Sequence, residues 1–233
     1  MTEDARKTFD LYADDYDVAL ARGISVSGEK KDYFAQRRIE WFRDCLKLFS
    51  APATRLMDFG CGTGSSSRLF FDILGIEYFV GMDESENSLE IASRKHGSER
   101  AQFLLFDEYQ PCGQFDLVFC TGVFHHIPPL DRAHAIDYIL RSLRPGGFFA
   151  FWENNPWNPG TRYVMSRIPF DRDALTLSAP EARALLRVGG FDILRTDFLF
   201  IFPRILHWCR GIEPLCSRLP FGAQYQVLCR KPS

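Results

Sequence analysis

Short apolar segments alternate with helix-like segments through the middle of the chain. Runs rich in Leu, Val, Phe and Met occupy residues 55–59, 77–83, 101–107, 115–121 and 148–153. The segments between them carry apolar residues at helical spacing. Because short buried strands that alternate with helices are typical of parallel sheets, this pattern predicts an α/β protein with helices on both faces of the sheet.

The two ends of the chain have a different pattern. Phe9, Tyr12 and Tyr16 fall on one face of a predicted helix, and residues 31–49 form a second amphipathic segment. We therefore divide the chain into an N-terminal helical segment, 1–50, and a core domain, 51–233. The core is expected to carry insertions at about 153–178 and 203–222. Ser178 begins a helix that ends before Gly189, and the last strands are predicted at 191–202 and 225–229.

A glycine-rich turn follows the first predicted strand, in the stretch Asp58-Phe59-Gly60-Cys61-Gly62-Thr63-Gly64. Alternating glycines let the backbone turn sharply and approach a ligand closely, because no Cβ stands in the way. The carboxylate of Asp58 at the end of the strand would repel a phosphate. It suits a cationic group such as an ammonium or a sulfonium.

This stretch resembles the first motif of the class I S-adenosylmethionine-dependent methyltransferases. The nicotinamide-dinucleotide fingerprint fits less well, because Ser65 stands where its third glycine or alanine would be. The resemblance implies a Rossmann-like, doubly wound sheet of seven strands, mostly parallel with an antiparallel last strand, and an N-terminal helical lid. It also implies S-adenosylmethionine as cofactor and S-adenosylhomocysteine as product.

The resemblance assigns cofactor contacts to several further positions. Asp83 lies about 20 residues beyond the last glycine, where an acid can take both ribose hydroxyls. Asp107 matches the position that bonds the adenine amino group. Thr121 is expected beside the methionine part, and Tyr16 belongs to the lid. The full predicted cofactor set is Tyr16, Asp58, Gly60, Cys61, Gly62, Gly64, Asp83, Glu84, Asp107, Glu108, Cys120 and Thr121.

Three residues are candidates for the methyl-acceptor side. His125 and His126 follow the fourth strand, and Glu153 ends the fifth. A neutral imidazole titrates near working pH and can take a proton from an acceptor. A histidine pair at this place also occurs in relatives whatever their substrate, so one ring can equally serve in packing. The turn that starts at Asn154 and Asn155 either faces the acceptor or satisfies its own hydrogen-bonding groups within the protein.

Composition and charge limit the classes of partner that we expect for this chain. The chain has 28 Lys and Arg against 30 Asp and Glu, a formal net charge of −2, which disfavours nucleic acid as a partner. Its seven cysteines contain no C-x-x-C pair, so neither a zinc site nor a disulfide framework is indicated and no metal is expected. With an acidic N-terminus and no apolar run long enough to span a bilayer, we expect a cytoplasmic protein.

The combined expectation is a methyltransferase that acts on an oxygen or nitrogen nucleophile of a small-molecule, sugar or lipid-linked acceptor. Two alternatives stay open: a non-catalytic S-adenosylmethionine-binding regulatory module, and another reaction that uses the same cofactor on this fold. The segment 203–222 mixes aromatics with Arg204, Arg210 and Arg218. It is either a helix packed on the sheet edge or a docking surface for a lipid-linked or phosphorylated acceptor at a membrane face.

Overall fold

A mixed sheet organises the protein. The computed structural model describes residues 23–51, 53–171 and 174–233. Within these residues the sheet has seven strands in the order β3-β2-β1-β4-β5-β7-β6. The strands are β1 (Arg55–Phe59), β2 (Tyr78–Asp83), β3 (Ala101–Leu105), β4 (Phe115–Thr121), β5 (Leu143–Asn154), β6 (Asp192–Leu199) and β7 (Gln224–Arg230).

The strand directions bring most carboxyl ends to one edge. Strands β1 to β5 pair in parallel, whereas β7 is antiparallel to both of its neighbours, β5 and β6. Strand β6 therefore runs in the same direction as β5. The predicted place of the last strand, inserted antiparallel beside the fifth, is confirmed. All strands except β7 end at the edge where open parallel sheets bind ligands.

Helices cover both faces of this sheet. They are α1 (Lys31–Leu48), α2 (Ser67–Leu74), α3 (Glu86–His96), α4 (Arg132–Ser142), α5 (Pro159–Arg167), α6 (Ala179–Val188) and the short α7 (Glu213–Cys216), preceded by a 3-10 segment, Arg204–Ile212. Helix α6 begins as predicted: the backbone N–H of Ser178 donates to Glu181 at 2.7 Å, part of a capping box.

Three predicted strand boundaries are wrong. Strand β6 ends at Leu199, before the predicted end at residue 202. Residues 143–147, which lie before the predicted run 148–153, form the first part of β5: Leu143 pairs with Phe115, and the backbone of Gly146 and Gly147 bonds to Lys231 beyond β7. Strand β3 ends at Leu105, two residues earlier than predicted. Asp107 therefore lies in the turn after the strand.

The core lies on both faces of the sheet. Helix α1 buries Ile39, Phe42 and Leu46 against a cluster that includes Phe119 of β4. On the opposite face, α4 and α6 pack on the apolar side chains of β4 and β5. Helix α1, which falls within the predicted N-terminal segment 1–50, is thus part of this core.

Candidate active site

The glycine turn after β1 has the conformation that only glycine adopts readily. Gly60, Gly62 and Gly64 have φ angles of +80°, +52° and +69°. A Cβ on Gly60 would lie 2.3 Å from Val123, and one on Gly64 would lie 2.6 Å from Phe103. A Cβ on Gly62 would meet no atom of the described residues within 4 Å. The open side of Gly62 therefore faces space that a ligand can fill.

That space is a cleft at the carboxyl edge of the sheet. Glycines, acids and aromatic rings from the loops after β1, β2 and β4 surround it. Its lining residues are Phe59, Gly60, Gly62, Thr63, Asp83, Glu84, Ser88, Phe106, Thr121, Gly122, Val123, His126 and Ile127. Its place between the ends of β1, β2 and β4 is where a doubly wound sheet binds a nucleotide-like ligand.

Asp83 organises the wall of the cleft as well as lining it. Its Oδ2 accepts the N–H of Gly62 at 2.8 Å, and its Oδ1 accepts the N–H groups of Glu84 and Ser85 at 2.9 and 3.1 Å. The carboxylate thus joins the end of β2 to the glycine turn. A ligand hydroxyl would find an acceptor here whose orientation is already set.

Asp58, in β1, is buried, whereas Asp83 lines the cleft. The Oδ1 of Asp58 is buried and has no hydrogen-bond partner among the described residues. Burial raises the pKa of Asp58 to about 7; the nearby charge of Asp83 adds to the rise, and Arg38 opposes it. A buried carboxylate without a partner is well suited to a cationic ligand.

Arg38 is a site residue that sequence reasoning missed. It projects from α1, its Nε donates to Phe34 O at 3.0 Å, and its guanidinium is hydrogen-bonded to Thr121 Oγ1. Arg38 and Thr121 are 83 residues apart in the chain. No local pattern could have paired them.

The predicted cofactor residues fall into three groups. Gly60, Gly62, Asp83, Glu84 and Thr121 line the cleft. Gly64, in the same turn, and the buried Asp58 are not among its lining residues. Cys120 is wholly buried in the core, and the Sγ of Cys61 lies 3.5 Å from Gly62 O. Asp107 and Glu108 are exposed beyond β3, and Tyr16 lies outside the described residues.

The acceptor-side candidates form a buried cluster with an acid that was not predicted. His125 Nδ1 lies 2.6 Å from Glu153 Oε2, and His125 Nε2 lies 3.4 Å from Asp171 Oδ1. His126 Nε2 lies 3.3 Å from the same oxygen of Asp171. Glu153 also accepts the backbone N–H of Phe124 at 2.8 Å, which fixes the loop that carries both histidines.

The two histidines differ in their protonation. Burial alone would lower the pKa of His125, but Glu153 and Asp171 raise it to about 10. Burial would raise the pKa of Asp171, but the two histidines bring it down to about 2. Burial lowers the pKa of His126 below its usual value, and the bond to Asp171 offsets this only in part. Near neutral pH, His125 is therefore an imidazolium, protonated on both ring nitrogens, and His126 is a neutral imidazole with one N–H.

The same cluster offers ligand atoms of the kinds that bind a metal cation. One nitrogen each of His125 and His126 and one oxygen of Asp171 lie within 4.8 Å of one another, a set that a divalent ion can use. The hydrogen bonds among them account for the arrangement with protons alone. We assign no ion to the cluster.

The side chain of Asn155, in the turn after β5, is hydrogen-bonded within the protein. Of the two roles considered for it, the acceptor-facing one is therefore wrong. The Asn155 side chain is buried, and its Nδ2 donates to Pro220 O at 3.1 Å and to Gly222 O at 2.8 Å. Asn158 donates to Phe221 O at 2.7 Å. The two asparagines thus tie the turn to the segment before β7.

Comparisons with known proteins agree with this geometry. Residues 57–151 match the family model described as a methyltransferase domain. A trans-aconitate 2-methyltransferase of Rhizobium leguminosarum is 31% identical over 96 residues, covering 41% of this chain and 37% of the relative. One from an Acidovorax species is 26% identical over 199 residues, covering 76% of each chain.

A solved structure shows the same fold at greater length. A Thermotoga maritima protein, described as a S-adenosylmethionine-dependent methyltransferase and possible histamine N-methyltransferase, has a TM-score of 0.65 and 22% identity. The match covers 97% of this chain and 99% of that one. At this identity, the likeness concerns the fold.

The sheet with its glycine turn and cleft therefore defines a nucleotide-type binding domain of the Rossmann-like class. Residues 57–151 match a methyltransferase domain, which supports, more narrowly, the class I S-adenosylmethionine-dependent methyltransferase that the sequence predicted, with S-adenosylmethionine as its cofactor class. Within the described residues, no helix is long and apolar enough to cross a membrane.

Proposed function

We propose that the protein transfers a methyl group from S-adenosylmethionine to an oxygen or nitrogen nucleophile of a small acceptor, with His126 as general base. The observation that carries this proposal is the position of His126, a neutral imidazole on the cleft wall, 3.3 Å from Asp171. The neighbouring His125 holds its own proton between two carboxylates.

The residues of the cleft fit the cofactor. The buried Oδ1 of Asp58 has no hydrogen-bond partner in the part of the chain that the structure describes and suits a cation. Gly62 leaves room for close approach, and Asp83 presents a fixed acceptor for hydroxyls. Phe59 and Phe106, with centroids 4.6 Å apart, give an apolar wall. When bound, S-adenosylmethionine supplies a methyl group on a positively charged sulfur.

The proton is handled by a chain of three groups. Asp171 accepts the Nε2–H of His126, which leaves Nδ1 as the basic nitrogen. Protonated His125 donates its Nε2–H to the same oxygen of Asp171 and keeps Asp171 ionised. His126 then accepts the proton of the acceptor, and Asp171 stabilises the imidazolium that forms. Asp171, His125 and Glu153 are positioning residues in this scheme.

The charges around the site favour a neutral acceptor. Asp83 and Glu84 line the cleft, and Asp171 and Glu153 lie behind His126; protonated His125 offsets one of these four negative charges, and Arg38, hydrogen-bonded to Thr121 of the cleft wall, is a second cation. The acids outnumber the cations, so the site would repel a polyanion such as the trans-aconitate named for the relatives. We therefore propose a hydroxyl or amine of a sugar-type molecule, free or lipid-linked, as the methyl acceptor.

Turnover measurements on the full chain test the proposal. We expect His126→Gln to lower turnover on hydroxyl acceptors by about 10²-fold or more while S-adenosylhomocysteine affinity by calorimetry stays unchanged. His134→Gln, at an exposed position on α4, is the matched control and should keep full activity. Normal turnover of His126→Gln would remove the base role.

The two alternative functions predict different products. A regulatory module would bind S-adenosylhomocysteine without turning over any acceptor. A different reaction on the same cofactor would proceed without release of S-adenosylhomocysteine. The neutral histidine held on the cleft wall by a carboxylate has no use in a purely regulatory module, so this observation favours a methyl transfer that needs a base.

A further inference from the structure

Exposed apolar side chains are concentrated on the segment between β6 and β7. Ile205, Trp208 and Leu215 are 76%, 67% and 85% exposed, and no residue of the 3-10 segment Arg204–Ile212 is buried. Fifteen large apolar residues are exposed in the described part of the chain, and seven of them lie between 205 and 221. Exposed patches of this kind mark an interaction site. We call residues 204–221 the apolar segment.

The apolar segment lies on the same edge of the sheet as the cleft, because it follows the carboxyl end of β6. The exposed Trp157, in the turn after β5, lies near the apolar segment, because Asn155 and Asn158 of that turn hydrogen-bond to the carbonyl groups of residues 220–222. A docked partner would therefore cover the edge at which the cofactor cleft opens.

The segment is held in place although its side chains are exposed. Arg210 bonds to Glu29 at 2.9 Å and stacks over the ring of Tyr33 at 4.6 Å. Arg204 donates to Gly28 O at 3.2 Å, and Phe200 packs against Phe34 with centroids 5.0 Å apart. A fixed scaffold presents the apolar side chains, so little ordering is needed when a partner binds.

The charge of the segment has one sign at the surface. Arg204 and Arg218 are exposed and Arg210 is half-buried, with His207 exposed among them. The acid in this stretch, Glu213, is buried and accepts the N–H of Ile201 at 2.6 Å. Arg210 is paired with Glu29 and Arg218 lies 3.7 Å from the buried Asp197, so Arg204 contributes most of the positive charge that this surface presents, on a chain whose formal net charge is −2.

We propose that the apolar segment docks the protein on an anionic membrane surface. Trp and Leu side chains beside arginines are the composition that binds at the headgroup level of a bilayer, through buried apolar area plus attraction to anionic lipid. A two-fold dimer through this surface would bring the arginines of both copies together, and like charges oppose such a contact. The docking does not depend on the identity of the methyl acceptor.

Vesicle co-sedimentation of the full chain tests this docking. We compare phosphatidylcholine vesicles with vesicles that contain about one third phosphatidylglycerol. We expect the protein to pellet with the anionic vesicles, less so at high salt, and weakly with the neutral ones. Equal binding to both, or none to either, would overturn the proposal.

Matched variants locate the contact. The triple variant Ile205→Ser, Trp208→Ser and Leu215→Ser should weaken anionic-vesicle binding at least tenfold. Val188→Ser, 87% exposed at the end of α6 on the opposite edge, should leave it unchanged. Each variant is first compared with the parent in thermal unfolding and S-adenosylhomocysteine binding, so that a failed fold or a failed methyltransferase assignment is seen separately. Full vesicle binding by the triple variant would overturn the proposal.

One further outcome identifies a different occupant. If light scattering shows a dimer of the parent that the triple variant abolishes, with no vesicle binding by either protein, the surface joins two copies of this chain and the membrane proposal fails.

Discussion

Nδ1 of His125 and Oε2 of Glu153 lie 2.6 Å apart, and both side chains are almost completely buried. The pair forms a charge-assisted hydrogen bond between two elements 28 residues apart, the loop after β4 and the end of β5. The loop that carries His126 takes its position from this bond.

Replacing the carboxylate of this pair should change the protonation of His125. In Glu153→Gln, the amide can still accept from Phe124 N–H but would donate to His125, so we expect the pKa of His125 to fall well below about 10. Histidine resonances followed by NMR across pH measure this directly. Glu153→Ala should in addition destabilise the fold by about 3 kcal/mol, since it leaves a buried charge alone. An unchanged titration of His125 in Glu153→Gln would contradict the pairing.

The glycine turn offers a pair of substitutions with opposite consequences. Gly64→Ala should destabilise the fold by about 2 kcal/mol or more, because its φ is +69° and its Cβ would lie 2.6 Å from Phe103. Gly62→Ala carries only the backbone strain, but its methyl enters the cleft. We expect it to stay folded and lose S-adenosylhomocysteine affinity. Denaturant unfolding and calorimetry separate the two effects, and a normal affinity of Gly62→Ala would show that the ligand keeps its distance from this turn.

Asp58 should give the protein a pH-dependent stability of known sign. Burial raises the pKa of Asp58 from its ordinary value of 3.8 to about 7 in the folded state. Between these values the folded state holds a proton that the unfolded chain has released, so the free energy of unfolding falls as pH rises through this window. Asp58→Asn removes this contribution.

The difference in unfolding free energy between Asp58→Asn and the parent isolates that contribution. It should rise in favour of the variant from pH 4 to pH 7, by at most about 4 kcal/mol, and then stay level. His125 and Asp171 also titrate, but their contributions cancel in the difference. The stabilised variant should bind S-adenosylmethionine more weakly. A difference that does not vary with pH would mean that Asp58 is not perturbed.

Two acids allow the predicted contacts to the nucleoside to be tested separately. Asp83→Asn should weaken S-adenosylhomocysteine binding at least tenfold and also loosen the fold, because an amide cannot accept all three N–H groups that Asp83 holds. Asp107→Ala, at an exposed position, should leave the fold intact. Weaker binding by Asp107→Ala would support its predicted adenine contact, and unchanged affinity in calorimetry would remove it.

The sequence predicted the parts of the fold that depend on local pattern. Apolar runs of five to seven residues became the parallel strands, and the acids and glycines at their ends became the cleft. A carboxyl-edge position is a consequence of topology that the order of elements already implies, so Asp83 and Thr121 could be placed without the structure.

The parts that depend on distant contacts could not be predicted. Asp171, in a short 3-10 turn after α5, meets His125 across 46 residues, and Arg38 reaches Thr121 from a helix in front of the domain. Asn155 looked like a ligand-facing residue because its neighbour ends a core strand. Its role as a tie to residues 220–222 depends on a loop 65 residues further on.

The position of β7 between β5 and β6 has a consequence for synthesis on the ribosome. Both neighbours precede β7 in the chain, yet each is bonded to it and not to the other. Until residues 224–230 emerge, β5 and β6 each present an unpaired edge, the type of edge that recruits foreign strands. The nascent protein is therefore most exposed to misassembly at the stage when β5 and β6 have been synthesised and β7 has not. A chaperone bound at that stage would have to cover the unpaired edges of β5 and β6.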